Sequence, residues 1–507
     1  MVEKGSYTLK AKTFDIETGK NIVVLNEDEA HDMDMIIGDR VSLKNGDKKC
    51  TAIVDVSDTL VKRGEIALFS DTSCGIGAKR GDIIEVSTTS NPASIEIIKK
   101  KMDGGSLGNE EIKKVIDEIM ENKLSETELA SFVTSLYIRG LSNDETVYLT
   151  NAIVGSGSIL DIGVHPVVDK HCSGGVAGNR TTMILVPIIA AAGLYIPKTS
   201  ARSITSPAGT ADTMEVLAPV TFKLDEMKNV VLKTHGCVVW GGAMDLAAAD
   251  DKLIRIRNSM RLDPKGVLLA SILAKKKSVG AEYVVIDIPV GRGAKIEDTR
   301  VANGMARDFL EIGDRLEMKV ECYITVGNGP IGNGIGPALE ARDVLRVLQG
   351  EGPADLTEKS LVLAGALLEL CGKVEKGKGY AVASDILKSG KALEKMREII
   401  GAQGGNAKVK VDDIPIGNYK AEVKSEKEGR IHHVDNRIIS RIARAAGAPK
   451  SKGAGIYMHV KQGDKVKVGD VLFDIIAESE TKLSMALEIS NVLEAVEMQK
   501  IVLEKYV

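Results

Sequence analysis

The 507-residue chain is 44% hydrophobic and 27% charged, an ordinary globular balance, and its length calls for roughly two to four domains. Aromatic residues make up only 3%, so the core must rest on Val, Ile, Leu, Ala and Met, and a base-stacking nucleic-acid platform is not expected. The net charge of −4 leaves no basic footprint for duplex nucleic acid, although local charge and backbone amides can still hold a small anion.

In chain order, residues 1–88 read as a β-rich domain. Tyr7-Thr8-Leu9-Lys10-Ala11 alternates, Ile22 to Leu25 is a short apolar run, and Arg40-Val41 follow a turn at Gly38-Asp39. A small barrel or sandwich is expected. Residues 89–157 change to a helical period, with Ile112, Val115, Ile116 and Ile119 on one face and a capping box at Ser125 to Glu128. Residues 158–247 alternate strands with helices. The run Val164-His165-Pro166-Val167-Val168 predicts a strand and Arg180 to Ala192 an apolar helix. The apolar run Met183 to Ile196 is too short for a membrane span and contains Pro187, so it reads as core. Residues 248–278 turn helical again and are expected to rejoin the helical block, which makes that domain discontinuous. Residues 279–406 resume the α/β domain with Tyr283 to Ile288 as a strand, and 407–507 form a C-terminal domain with a strand–turn–strand at Val460 to Val466. The expected fold class is therefore α/β multidomain: a small N-terminal β-rich domain, a discontinuous α-helical domain, an α/β phosphate-binding domain and a C-terminal α+β barrel-sandwich-like domain.

The six cysteines form no CxxC pair and no zinc spacing, and the seven histidines are scattered, so neither metal nor cofactor is expected. Met1 to Lys10 has no apolar core of a secretory signal. A reducing, cytoplasmic location follows as an expectation.

The segment richest in chemistry is Asp169-Lys170-His171-Cys172-Ser173-Gly174-Gly175-Val176-Ala177-Gly178-Asn179-Arg180, between a predicted strand and a predicted helix. Glycines let several N–H groups point at one anion, and the following helix offers its positive end. The same loop would serve equally as a structural turn. It is neither a Walker loop nor a strict dinucleotide fingerprint. A second polar stretch, Lys198 to Asp212, is rich in hydroxyls and holds Arg202, and its bland reading is a solvated loop. Two such loops after successive α/β units suit a ligand site, which gathers at the carboxyl ends of strands. A third set comprises Arg257, Asp263, Ser271, Lys275 and Lys276 on or beside helices, then Gly291-Arg292-Gly293-Ala294-Lys295 after a strand.

These elements, in this order, resemble the thymidine and pyrimidine-nucleoside phosphorylases from about Ser94 to the C-terminus. The similarity is densest from Asp169 to Asp212, over the Asp-Lys-His loop with its paired glycines and the Ser-Xaa-Arg loop ending in Gly209-Thr210. The resemblance implies a helical domain and an α/β domain separated by a cleft, inorganic phosphate as co-substrate and a homodimeric core, with room for larger assembly. Lys170, Ser200 and Thr210 match phosphate-contacting positions, Thr182 falls where a further hydroxyl is expected, and Cys172 and Ser173 lie in the loop itself. Cys172 stands where the family has serine. Arg257, Ser271 and Lys275 fall where the family holds the base.

The departures resemble the archaeal branch of the family that cleaves AMP. They are the added N-terminal domain with Phe14 to Gly19 and Val24 to Glu27, then Gly178-Asn179, Arg202 to Ser206, and Arg261-Leu262-Asp263-Pro264. In that branch the aspartate matching Asp263 protonates the leaving base. Gly175, Ala201, Arg202, Ser203, Ile204, Thr205, Ser206, Thr210, Ser271 and Lys295 match nucleotide-contacting positions. The implied reaction is AMP plus phosphate giving adenine and ribose 1,5-bisphosphate, with CMP and UMP as further substrates to be tested. The competing readings are a thymidine phosphorylase, an anthranilate phosphoribosyltransferase lacking its acidic metal–pyrophosphate site, and a non-catalytic nucleotide-binding protein that would not need Asp263. The Gly463-Asp464 hairpin is similar to lipoyl carriers but places no lysine clearly at its tip, so the C-terminal domain is read as structural.

Overall fold

The computed structural model describes residues 6–89, 91–203 and 206–499. The chain forms two compact units, Met1–Ser156 with Ala248–Ser271, and Gly157–Ala247 with Ile272–Val507.

In the first unit, β1 (Ser6–Phe14), β2 (Ile22–Leu25), β3 (Arg40–Asn45), β4 (Lys48–Val56), β5 (Glu65–Phe69) and β6 (Ile83–Thr88) close a barrel in the order β1-β5-β2-β4-β3-β6. Period-two alternation sends Leu9 and Ala11, Val41 and Leu43, Ala52 and Val54, Ile66 and Leu68, and Ile84 and Val86 inward. Four helices follow at Ser94–Met102, Asn109–Met120, Glu126–Arg139 and Asn143–Gly155. The second buries the predicted face of Ile112, Val115, Ile116 and Ile119. Ser125 and Ser142 cap the third and fourth in boxes closed by Glu128 and Glu145. Arg40 of the barrel pairs with Glu128, and Lys101 reaches Glu145 at 2.6 Å in a buried ion pair. The helix Ala248–Met260 and the start of Lys265–Ser278 complete this unit.

The second unit is built on parallel strands. β7 (Val168–Cys172), β10 (Tyr283–Val290) and β11 (Lys319–Val326) pair in the order β11-β10-β7, and β8 (Ile196–Ser200) pairs with β9 (Gly236–Trp240). A parallel bridge between Val167 and Tyr195 links the two sets. The strand expected from Val164 starts only at Val168, because Pro166 has no N–H to give to a ladder. Across the sheet lies Thr181–Ala191, an apolar helix buried along nearly its whole length, packed with the later helices Pro337–Gln349, Ala354–Leu370, Gly379–Lys388 and Lys391–Ala402 in one core.

The C-terminal part holds β12 (Gly334–Ile335), β13 (Tyr419–Lys424), β14 (Gly429–Val434), β15 (Gly455–Met458), β16 (Lys465–Val466), β17 (Val471–Ala477) and β18 (Val496–Met498), in sheets β12-β15-β17-β13 and β16-β14-β18. The expected strand–turn–strand at 460–466 is mostly turn. Asp464 accepts the Lys461 amide at 2.7 Å, which closes a side-chain turn and leaves only two residues of strand after it. Among the described residues, no helix is long and apolar enough to cross a membrane.

Candidate active site

Four of the parallel strands end at Cys172, Ser200, Val290 and Val326, and the loops that follow carry most of the residues singled out in the sequence. Gly174, Gly175 and Gly178 all have positive φ, at 92°, 89° and 71°. Only glycine suits the two closest approaches. A Cβ on Gly175 would lie 2.1 Å from the Lys295 amide nitrogen, and one on Gly178 would lie 2.2 Å from the Ile331 carbonyl oxygen. The glycine loop and the Gly291–Lys295 loop are thus in backbone contact. Ser173 donates its amide to Asp287 O at 2.9 Å, while its buried hydroxyl has no hydrogen-bond partner among the described residues.

Cys172 points into the loop. Its sulfur accepts from the Gly174 amide and from Asn179 Nδ2, each at 3.4 Å, and burial pushes the thiol up from its ordinary value. This thiol braces the loop from within.

Beneath the loop lies a buried charge cluster. Lys170 donates to Thr181 Oγ1 at 2.9 Å and stands 3.7 Å from Asp287, whose same oxygen lies 3.0 Å from Lys359. Thr325 donates to the other Asp287 oxygen at 2.6 Å. Asp169 accepts from Lys198 at 3.0 Å and Lys276 at 2.5 Å, and Lys198 also donates to the Lys170 carbonyl at 2.6 Å. Four ammonium groups therefore share two carboxylates. Burial opposes the charge on Asp169, but Lys198 and Lys276 outweigh it and hold the carboxyl below its usual range. Burial, aided by Lys276 and resisted by Asp169, brings Lys198 down to about 7. His171 is pushed well down by burial first and then by Lys276, Lys198, Lys275 and Lys170, which keeps its ring neutral. Such a site favours an anion.

The second loop is held by its own residues. Asp212 accepts from the Ser203 amide at 2.7 Å and the Gly209 amide at 2.9 Å, and Ser206 donates to Ala208 O at 3.0 Å. A Cβ on Gly209 would sit 2.5 Å from Ala201 O. Arg202 grips Glu215 through two contacts of 2.8 and 2.5 Å and lies 4.9 Å from the Trp240 ring centroid. Arg202 above all, then Lys452, holds Glu215 down at about 2. Thr210 Oγ1 accepts from Arg180 at 3.1 Å, and Thr182 is buried in the first turn of the helix after the glycine loop. Ser200 closes β8, half-buried. Ile204 and Thr205 lie outside the described residues.

Arg180, Lys198, Lys359, Asp169 and Asp287 were not assigned from sequence. Arg180 joins the two loops by donating to Asn179 O at 3.2 Å and Ala208 O at 2.6 Å while paired with Glu340. The available signal was a charge inside an apolar run, as with Asp287 in β10, since such residues are seldom buried unpaired.

The first unit carries Arg257, Asp263 and Ser271. The Arg257 guanidinium donates to the Asp263 carboxylate, whose side chain is 35% exposed, and Ser271 donates to Asp250 at 2.7 Å. Lys275 belongs to the second unit, half-buried beside His171.

Residues 95–157 match the glycosyl transferase family helical bundle domain, residues 164–393 that family's a/b domain, and residues 430–495 the pyrimidine nucleoside phosphorylase C-terminal domain. Together they define a multidomain α/β pentosyltransferase. The chain is 46% identical to the AMP phosphorylase of Pyrococcus furiosus, with 98% of each chain covered. It is 45% identical to AMP phosphorylase 1 of Archaeoglobus fulgidus, again with 98% of each covered, and 46% identical to the AMP phosphorylase of Thermococcus kodakarensis over 98% of this chain and 99% of that one. The chain belongs to the AMP phosphorylase family. The solved anthranilate phosphoribosyltransferase of Thermus thermophilus shares the fold, with a TM-score of 0.52 at 20% identity over 60% of this chain and 98% of that one.

Proposed function

We propose that the chain cleaves AMP with inorganic phosphate, giving adenine and ribose 1,5-bisphosphate. The observation that carries this reading is the surplus of buried ammonium groups beneath a glycine loop whose Ser173 hydroxyl lacks a partner among the described residues. A phosphate anion would offset that charge and favour the protonated form of Lys198, and Lys170, Ser173, Thr182, Ser200 and Thr210 are the proposed phosphate ligands. Cys172 acts by holding the loop's shape.

Phosphate attacks the anomeric carbon on the face opposite adenine. Its oxygen forms the new bond as the bond to the purine nitrogen breaks. Positive charge builds on the sugar, and the bound dianion stabilises it. Asp263 gives its proton to a ring nitrogen of the departing base. In the structure Asp263 accepts from Arg257, so donation requires it to leave the guanidinium and take up a proton from solvent before it meets the purine. The 5′-phosphate falls to Lys295 and to the amides and hydroxyls of the 201–206 loop. Arg202 fixes that loop through Glu215 and Asp212.

We also propose a homodimer. Ile138, exposed at 69% on the helix Glu126–Arg139, and Met102, exposed at 48%, line one mainly apolar groove of the helical block that a second copy would cover.

The decisive assay offers AMP, adenosine and thymidine, each with phosphate, and identifies the sugar product. Ribose 1,5-bisphosphate from AMP, with poor nucleoside turnover, is expected. Thymine release with AMP untouched would replace this reading by thymidine phosphorolysis.

A further inference from the structure

Behind the glycine loop, on the side of the C-terminal domain, stands one buried amide. β14 runs directly into the helix Asn436–Ala445, whose cap Asp435 accepts the Arg437 and Ile438 amides at 2.8 and 2.9 Å. This places Asn436 at the first helical position with only 2% of its surface exposed. Its Oδ1 accepts the Ala177 amide at 3.1 Å and its Nδ2 donates to the Gly327 carbonyl at 3.1 Å. A donor on one side and an acceptor on the other dictate which way the amide faces. Gly327 in turn donates to Val290 O at 2.8 Å, at the end of β10. The side chain of Ala177 belongs to the C-terminal core with Ile439 and Val434, and its carbonyl accepts from Ile331 at 3.0 Å.

We propose that Asn436 is a positioning residue for the anion site: it pins the glycine loop at Ala177 to the ends of β10 and β11. The C-terminal domain thereby sets the geometry in which Ser173, Gly174 and Gly175 meet their ligand. Cys172 restrains the loop from within, at Gly174 and Asn179, whereas Asn436 restrains it from the C-terminal domain, at the Ala177 amide. A buried amide with both halves engaged leaves both backbone groups uncompensated when removed. The identity of the ligand as phosphate rests on the function proposed above, but the pinning of the loop does not.

The test measures amide hydrogen exchange across residues 173–179 in the intact chain, alongside calorimetric titration with inorganic phosphate. In Asn436→Ala, exchange at Ala177 should accelerate and phosphate affinity should fall roughly tenfold or more, as displacement of binding groups by a fraction of an ångström does. Asn436→Asp keeps an acceptor for Ala177 and loses the donor to Gly327. Its Ala177 protection should stay near that of the parent, with faster exchange confined to the segment around Gly327. Unchanged Ala177 exchange and unchanged phosphate affinity in a folded Asn436→Ala protein would overturn the proposal. Should that variant not fold, Asn436→Asp decides through phosphate affinity: the lost tether to Gly327 should weaken binding, and affinity equal to the parent's with unchanged exchange around Gly327 would overturn the proposal. A parent protein that binds phosphate but leaves AMP uncleaved would instead retire the proposed reaction and leave the role of Asn436 standing.

Discussion

Asp263 and Gly175 carry the sharpest residue-level predictions. Asp263→Asn keeps the size of the side chain but cannot give up a proton in the same way. Turnover of AMP should fall by about a hundredfold or more while phosphate binding persists. Retained turnover would remove Asp263 from the chemistry, and steady-state kinetics with calorimetry separates the two. Gly175→Ala puts a methyl where the Lys295 amide nitrogen stands 2.1 Å away, on a backbone at φ 89°. The two loops must part. A rise in KM for AMP with little change in melting temperature is expected, because the strain is confined to exposed loops. Lys198 adds a pH signature. Its folded value of about 7 lies below the ordinary 10.5, so between these values the unfolded chain binds more protons than the native one. Through this group stability rises with pH from about 7 to about 10, and below 7 that gain is absent. Lys198→Met should flatten that slope in denaturant titrations run at pH 7 and pH 9. An unchanged slope would show that Lys198 is not the group responsible.

At the scale of elements, alternation made the barrel legible and the 3.6-residue period made the helix Asn109–Met120 legible. The glycine loop stood out through its composition and its place between a strand and a helix. What holds it was not. Lys276 meets Asp169 across 107 positions, Arg180 meets Glu340 across 160, and Ala177 meets Asn436 across 259. No local period encodes such pairings; they exist only once the sheet brings its strand ends together. The same limit explains Cys172. The sequence marks it as a thiol in a loop, and only the positions of Gly174 and Asn179 show that it accepts hydrogen bonds within that loop. Turn chemistry likewise outweighed alternation at Lys461 to Asp464. Capping, by contrast, is a local code and was read correctly at Ser125. Ser125→Ala should cost about 1 kcal/mol in stability, measured by urea unfolding, and should leave KM for phosphate unaltered.

At the scale of the whole molecule, the barrel has its own core of strand residues and the helical block packs its own apolar faces, while the parallel strands carry the glycine loop and the Ser200–Thr210 loop. If the apolar surface around Ile138 is a subunit contact, Ile138→Asp should halve the mass seen by light scattering without lowering the melting temperature of the barrel. A mass independent of this substitution would move the contact elsewhere.

The order in which the ribosome releases these parts matters. The first unit is interrupted: it needs Leu253, Ile256, Val267, Leu269 and Ala270, all buried, from a segment that follows β9. The barrel can therefore settle early in synthesis, but the helical block stays unfinished until residue 271 has emerged. By then the glycine loop and the Ser200–Thr210 loop have also been made. A nascent chain arrested near residue 240 should present a protease-resistant barrel and cleavable helices, and one released past residue 280 should present both protected. Unlike a tandem array of domains, this chain cannot complete its helical block before it has made both of these loops.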